Sequence, residues 1–128
     1  MKLTIFTISF TIFATFSSTQ LVSSAFAQEL LDSYIARIGP NDHFNSRGVR
    51  LKSASAIIRQ DRANFHKFGK ADAEDEYDSF FNSKANRGRM ERMLRNGSST
   101  RSAINSIVNH QPLIRVKIYR NSVVVTVL

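Results

Sequence analysis

The sequence predicts a small α+β fold, of order β-α-α-α-β-β, and three observations lead to it. Residues 113–120, which alternate apolar and polar side chains, and the β-branched run of residues 123–128 flank Asn121-Ser122, the pattern of an antiparallel hairpin. Between Ser53 and Pro112 the apolar residues recur at helical spacing instead. A hairpin alone is marginal in water, so this one needs a third strand and helices packed on one face.

The first 27 residues stand apart from that domain. Lys2 precedes an apolar stretch, residues 3–16, and Ala25-Phe26-Ala27 sets small residues three and one before Gln28, the pattern of a signal peptide. The stretch is shorter than the roughly 20 apolar residues of a spanning helix and carries Thr4, Thr7, Ser9, Thr11 and Thr15. Residues 1–27 are therefore expected to be cleaved on export. Residues 28–128 should remain as one soluble mature domain with no transmembrane span, in the periplasm or the extracellular medium. The chain has no cysteine, so packing alone must hold a domain bound for an oxidising compartment.

Each element has its own signal. Leu30, Leu31, Tyr34, Ile35 and Ile38 fit a helical stripe, but Tyr34, Ala36 and Ile38 also alternate, and residues 34–38 are read as the third strand. Gly39-Pro40-Asn41-Asp42 stops it. Ser53 caps a helix over residues 53–68, with Gly69 as its stop and Ala54, Ile57, Ile58, Phe65 and Phe68 on one stripe. His66 lies off that stripe and is expected to be exposed. Asp72 starts a second helix, with Glu74, Asp75 and Glu76 where the helix dipole favours acids and Ala73, Tyr77, Phe80 and Phe81 as its apolar side. After Asn82-Ser83 the helical region continues over residues 84–95, with Met90, Met93 and Leu94 inward, Gly88 as a weak point and Asn96-Gly97 as its end. Ser98-Ser99-Thr100 caps a last helix that must end before Pro112. With Asn121-Ser122 as the turn, Ile118 faces Val125 and Val116 faces Val127 toward the core. Lys117 then faces Thr126, and Tyr119 faces Val124, on the wet side.

The whole chain carries a formal charge of +8, and residues 28–128 carry +7, with 12 arginines among their cations. That excess is either ordinary surface charge or the footprint of an anionic partner: nucleic acid, acidic glycan, phospholipid head groups or an acidic protein. Lys84, Arg87, Arg92 and Arg95 recur along one side of the third helical stretch. Arg115, Lys117 and Tyr119 mark the wet face of the hairpin, and Arg37 beside them would complete a face of cations and an aromatic ring.

Asp61 is the residue out of place, at the centre of the apolar stripe of residues 53–68. A buried carboxyl must be paired, hydrogen-bonded or protonated. As architecture it would take N–H groups from the loop of residues 41–46 or pair with an inward arginine, and its pKa is then expected below the ordinary value. As chemistry it would orient His43, which would activate Ser46. No metal site is expected, because His43, His66 and His110 are widely spaced and the acids of residues 72–78 lack the glycine and ligand rhythm of a calcium loop. No cofactor motif is present either.

The strings DHFNSRG (residues 42–48), IIRQDRANFHKFG (57–69), EDEYDSFF (74–81) and PLIRVKIYR (112–120) resemble a group of small exported bacterial proteins of unknown function. The resemblance implies a bacterial, periplasmic setting and brings no activity, cofactor or site residue with it. The expectation is an exported, non-catalytic binding or envelope-associated protein that meets an anionic macromolecule or envelope component through its basic faces. The alternative is a small hydrolase-like enzyme using Asp61 and His43.

Overall fold

Residues 28–128 are described by the computed structural model, and the expected signal peptide at residues 1–27 lies outside them. The architecture is α+β: an antiparallel three-stranded sheet, ordered β1-β2-β3, with helices packed on one face. β1 (Leu30–Arg37) pairs with β2 (Leu113–Tyr119), which forms the C-terminal hairpin with β3 (Val123–Val127). Alternation therefore outweighs the helical stripe in the first element, because a strand places Tyr34, Ala36 and Ile38 on the core side together. From the sheet, Ile114, Val116, Ile118, Val123 and Val125 meet Ile57, Ile58, Met90, Met93 and Ile107 from the helices. Burying each such side chain contributes about 1.5–3 kcal/mol, which is how a chain without disulfides holds together.

The hairpin register differs from the expectation by two residues. Ile118 lies opposite Val123, Val116 opposite Val125 and Lys117 opposite Val124, and the Tyr119 N–H donates to the Ser122 carbonyl at 2.9 Å. The turn is therefore Arg120-Asn121. Residues from the helical region hold it there, since Arg89, in a turn between two helices, donates to the Arg120 carbonyl and Asn96 to that of Asn121. A two-residue slip keeps every side chain on its expected face, so the core is unchanged while the partners are not.

Helix α1 (Ala54–Ala63) starts at Ser53, whose hydroxyl accepts the Ala56 N–H. Its last turn widens into a π turn, Asn64–Phe68, that ends at Gly69 with φ +64°. The wider turn rotates the residues it contains away from their α-helical positions. His66, expected outside, has a side chain only 3 % exposed, whereas Phe68, expected inside, is 42 % exposed.

The helix expected from Asp72 does not form; most of residues 70–83 are turns and irregular chain. Its carboxylates are used elsewhere. Asp75 accepts the Arg37 N–H and Glu76 accepts the Ile35 N–H, while the Glu76 N–H donates to the Ile35 carbonyl. The segment thereby covers the open edge of β1, an edge that would otherwise offer its backbone to another chain. The third helical stretch is divided, as Gly88 foreshadowed, into α2 (Lys84–Arg87) and α3 (Met90–Asn96). Thr100 caps α4 (Arg101–Asn109), which stops short of Pro112.

Candidate functional site

Asp61 and Arg62 are neighbours on α1, and both are buried, at 1 % and 0 % exposed. The Arg62 Nε donates to Asp61 Oδ2 at 2.7 Å, and its Nη1 donates at 3.0 Å to both Asp78 Oδ1 and the Glu76 carbonyl. The guanidinium lies against the rings of Tyr34 and Phe65, 3.9 and 4.6 Å from their centroids. Asp78 in turn accepts the Phe81 N–H through Oδ2 and meets His66 Nε2 at 2.9 Å. One cation thus joins two buried carboxyls and ties α1 to the irregular segment that covers β1.

The loop of residues 41–46 does not satisfy Asp61. It supplies its own acid instead: Asp42 accepts the Gly39 N–H and the Asn64 amide, each at 2.8 Å, and Gln60 donates to Asn64. His43 is buried with Nδ1 at 3.0 Å from the Gly39 carbonyl and Nε2 at 3.0 Å from the Ile107 carbonyl. The expected bonds from the loop to Asp61 therefore do not form, and the loop is tied instead to the π turn through Asp42–Asn64 and to α4 through His43–Ile107. No hydrogen bond among the described residues links Asp61, His43 and Ser46. Ser46 itself is exposed.

Burial dominates the electrostatics. It pushes the Asp61 carboxyl well above the ordinary range despite the pull of Arg62, and the nearby Asp42 charge adds to the rise. The expected depression is thus reversed by burial, and Asp61 Oδ1 and Arg62 Nη2 both lie buried without a hydrogen bond among the described residues. Asp42 is raised to about 6, again by burial, against the hydrogen bonds from Asn64 and Gly39.

The basic residues fall into unlike groups. Arg87 is buried, and its Nη1 donates to the Phe81 and Asn82 carbonyls, so it fastens the start of α2 rather than facing a partner. With α2 and α3 divided, Lys84, Arg87, Arg92 and Arg95 do not form one continuous row. Arg95 meets Glu91 at 3.7 Å on the surface, and Arg92 is exposed. Arg37 bonds to Glu74 and to the Gln111 carbonyl, which removes it as a free cation. Arg115 and Lys117 project exposed from the uncovered sheet face and make no ion pair among the described residues, with Tyr119 half-buried on the same strand.

A groove of about 420 Å³ runs between α1 with its π turn and the α2–α3 pair. Arg59, Lys67, Lys84, Phe68, Ser55 and Gln60 line it, with Glu91 as its one acid. Arg59 and Lys67 were not singled out in the sequence. For Arg59 the signal lay in the helix already identified, since Ala56, Arg59 and Ala63 recur on the side of α1 away from Ile57 and Ile58, whereas Lys67 lies in the π turn, where that spacing no longer holds. No family model, curated protein or solved structure matches the chain.

Proposed function

We propose that residues 28–128 form an exported, non-catalytic domain that binds an anionic macromolecule in the periplasm or outside the cell. The signal-like pattern of residues 1–27 supports the address. The binding reading rests on one observation, the sorting of charge. Asp42, Asp61 and Asp78 are buried, and Asp32, Glu74, Asp75 and Glu76 accept internal hydrogen bonds. Arg59, Lys67, Lys84, Arg92, Arg115 and Lys117 meanwhile stay exposed without ion pairs among the described residues. These unpaired surface cations, with the formal charge of +7, favour an anionic partner.

A hydrolase centred on Asp61 and His43 has weaker support. Asp61 is enclosed by Arg62, and both ring nitrogens of His43 already face backbone carbonyls. Both groups are buried, and no hydrogen bond among the described residues links them to each other or to a nucleophile.

Chromatography of the exported protein on immobilised dextran sulfate, with neutral dextran as the control, tests the proposal. Wild type and Asp61→Asn should both be retained at about 50 mM NaCl and released as salt screens the contact. Passage through both columns at that salt would remove the basis of the reading.

A further inference from the structure

The groove between α1 and the α2–α3 pair has features that the open sheet face lacks. It is concave, and its volume of about 420 Å³ falls in the range of small-ligand sites and well above that of a lone ion. Arg59, Lys67 and Lys84 give it positive charge from both walls, since Arg59 stands on α1 and Lys84 on α2. Its acid, Glu91, lies toward Arg95 at 3.7 Å. At the π-turn end the Phe68 ring is 42 % exposed, with the Lys67 ammonium 5.1 Å from its centroid. An apolar ring face thus sits beside a cation, while Asn45, Ser53, Ser55 and Gln60 add hydroxyl and amide groups along the groove.

We infer that this groove is the binding site for a short anionic oligosaccharide whose sugars carry carboxylates. The inference rests on the anion-binding reading above and gives it a place and a ligand class. Arg59, Lys67 and Lys84 complement the carboxylates, with the arginine fork suited to a carboxylate's two oxygens. Phe68 offers an apolar platform to the C–H face of a sugar ring, and the hydroxyl and amide side chains meet the sugar hydroxyls. An acidic peptide fits less well. Extended peptides gain affinity by adding to a free strand edge, and these walls are helices whose backbone groups are bonded internally. The π turn belongs to the device, because its wider path turns Phe68 outward beside Lys67 while directing His66 inward to Asp78.

The test is a titration of the isotope-labelled exported protein, followed by amide shifts, with a galacturonate trimer, maltotriose and hexaglutamate as separate probes. Arg59→Gln combined with Lys84→Gln is the groove variant, and Arg115→Gln combined with Lys117→Gln is the sheet-face control; all four positions are exposed. The galacturonate trimer should saturate, shift the amides of groove residues, and bind at least about tenfold tighter than hexaglutamate, with maltotriose weaker again. The groove variant should lose at least about tenfold in affinity, and the sheet variant less than about twofold. Equal or tighter binding of hexaglutamate, or loss in the sheet variant alone, overturns the inference. So does failure of the trimer to bind a protein still retained on dextran sulfate, which would leave the anion-binding reading standing. Failure of both overturns the two together.

Discussion

Asp61 and Arg62 are consecutive on α1, yet both lie inside, because the aromatic faces of Tyr34 and Phe65 cover the guanidinium while Asp61 and Asp78 accept its N–H groups. Asp61, whose Oδ1 has no hydrogen bond among the described residues, is pushed by burial toward the protonated form despite the pull of Arg62. Asp42 is raised to about 6 for the same leading reason. Both folded values lie above the unfolded carboxyl value of about 3.9, so their stabilisation is complete below about pH 4. It is lost as pH rises, through about 6 for Asp42 and through the raised value of Asp61. Chemical unfolding followed between pH 4 and 8 should therefore show stability falling with pH. Asp61→Asn, which mimics the protonated carboxyl, should flatten part of that slope and cost less than about 1 kcal/mol at pH 7. A loss of about 3–5 kcal/mol would instead mark an ionised pair broken open. The acid was visible in the sequence because it interrupts an apolar stripe. Its partner was not, because an arginine one step around the helix reads as solvent-facing until Tyr34 and Asp78 are brought to it from distant segments.

At the scale of elements, the strands and α1 were legible from periodicity, and the errors cluster where side chains compete with local pattern. Residues 72–81 carry the composition of a helix start, but their carboxylates find better donors in the open edge of β1. The π turn could not be read from spacing, because the helical wheel assumes the very rise that it changes. The hairpin turn moved because Arg89 and Asn96 hold the carbonyls of Arg120 and Asn121, a contact with no trace in the hairpin's own sequence. Gly97 fixes how α3 approaches that hairpin. A Cβ there would collide with the Val123 carbonyl oxygen, so the crossing requires glycine for space. Gly97→Ala should force α3 away from β3 and destabilise the domain by about 1–3 kcal/mol, read as an earlier urea midpoint with an unchanged slope. Wild-type stability in that variant would mean that the crossing is looser than the backbone geometry indicates.

For the whole molecule, charge is partly sorted: seven of the ten acids are buried or accept internal hydrogen bonds, whereas Arg59, Lys67, Lys84, Arg92, Arg115 and Lys117 stay exposed without ion pairs among the described residues. Composition alone revealed the excess of cations but not this arrangement, since only the fold decides which carboxylates turn inward. The sorting joins the structural role given to Asp61 and the surface role given to the arginines and lysines, so one experiment bears on both. Carbodiimide labelling of the folded protein, read residue by residue by mass spectrometry, measures which carboxyls solvent can reach. Asp42, Asp61 and Asp78, each about 1 % exposed or less, should stay unlabelled while exposed Glu29 and Glu91 react to completion. Labelling of Asp61 at the rate of Glu91 would contradict the account, because an acid open to solvent is placed for chemistry and not for holding the fold.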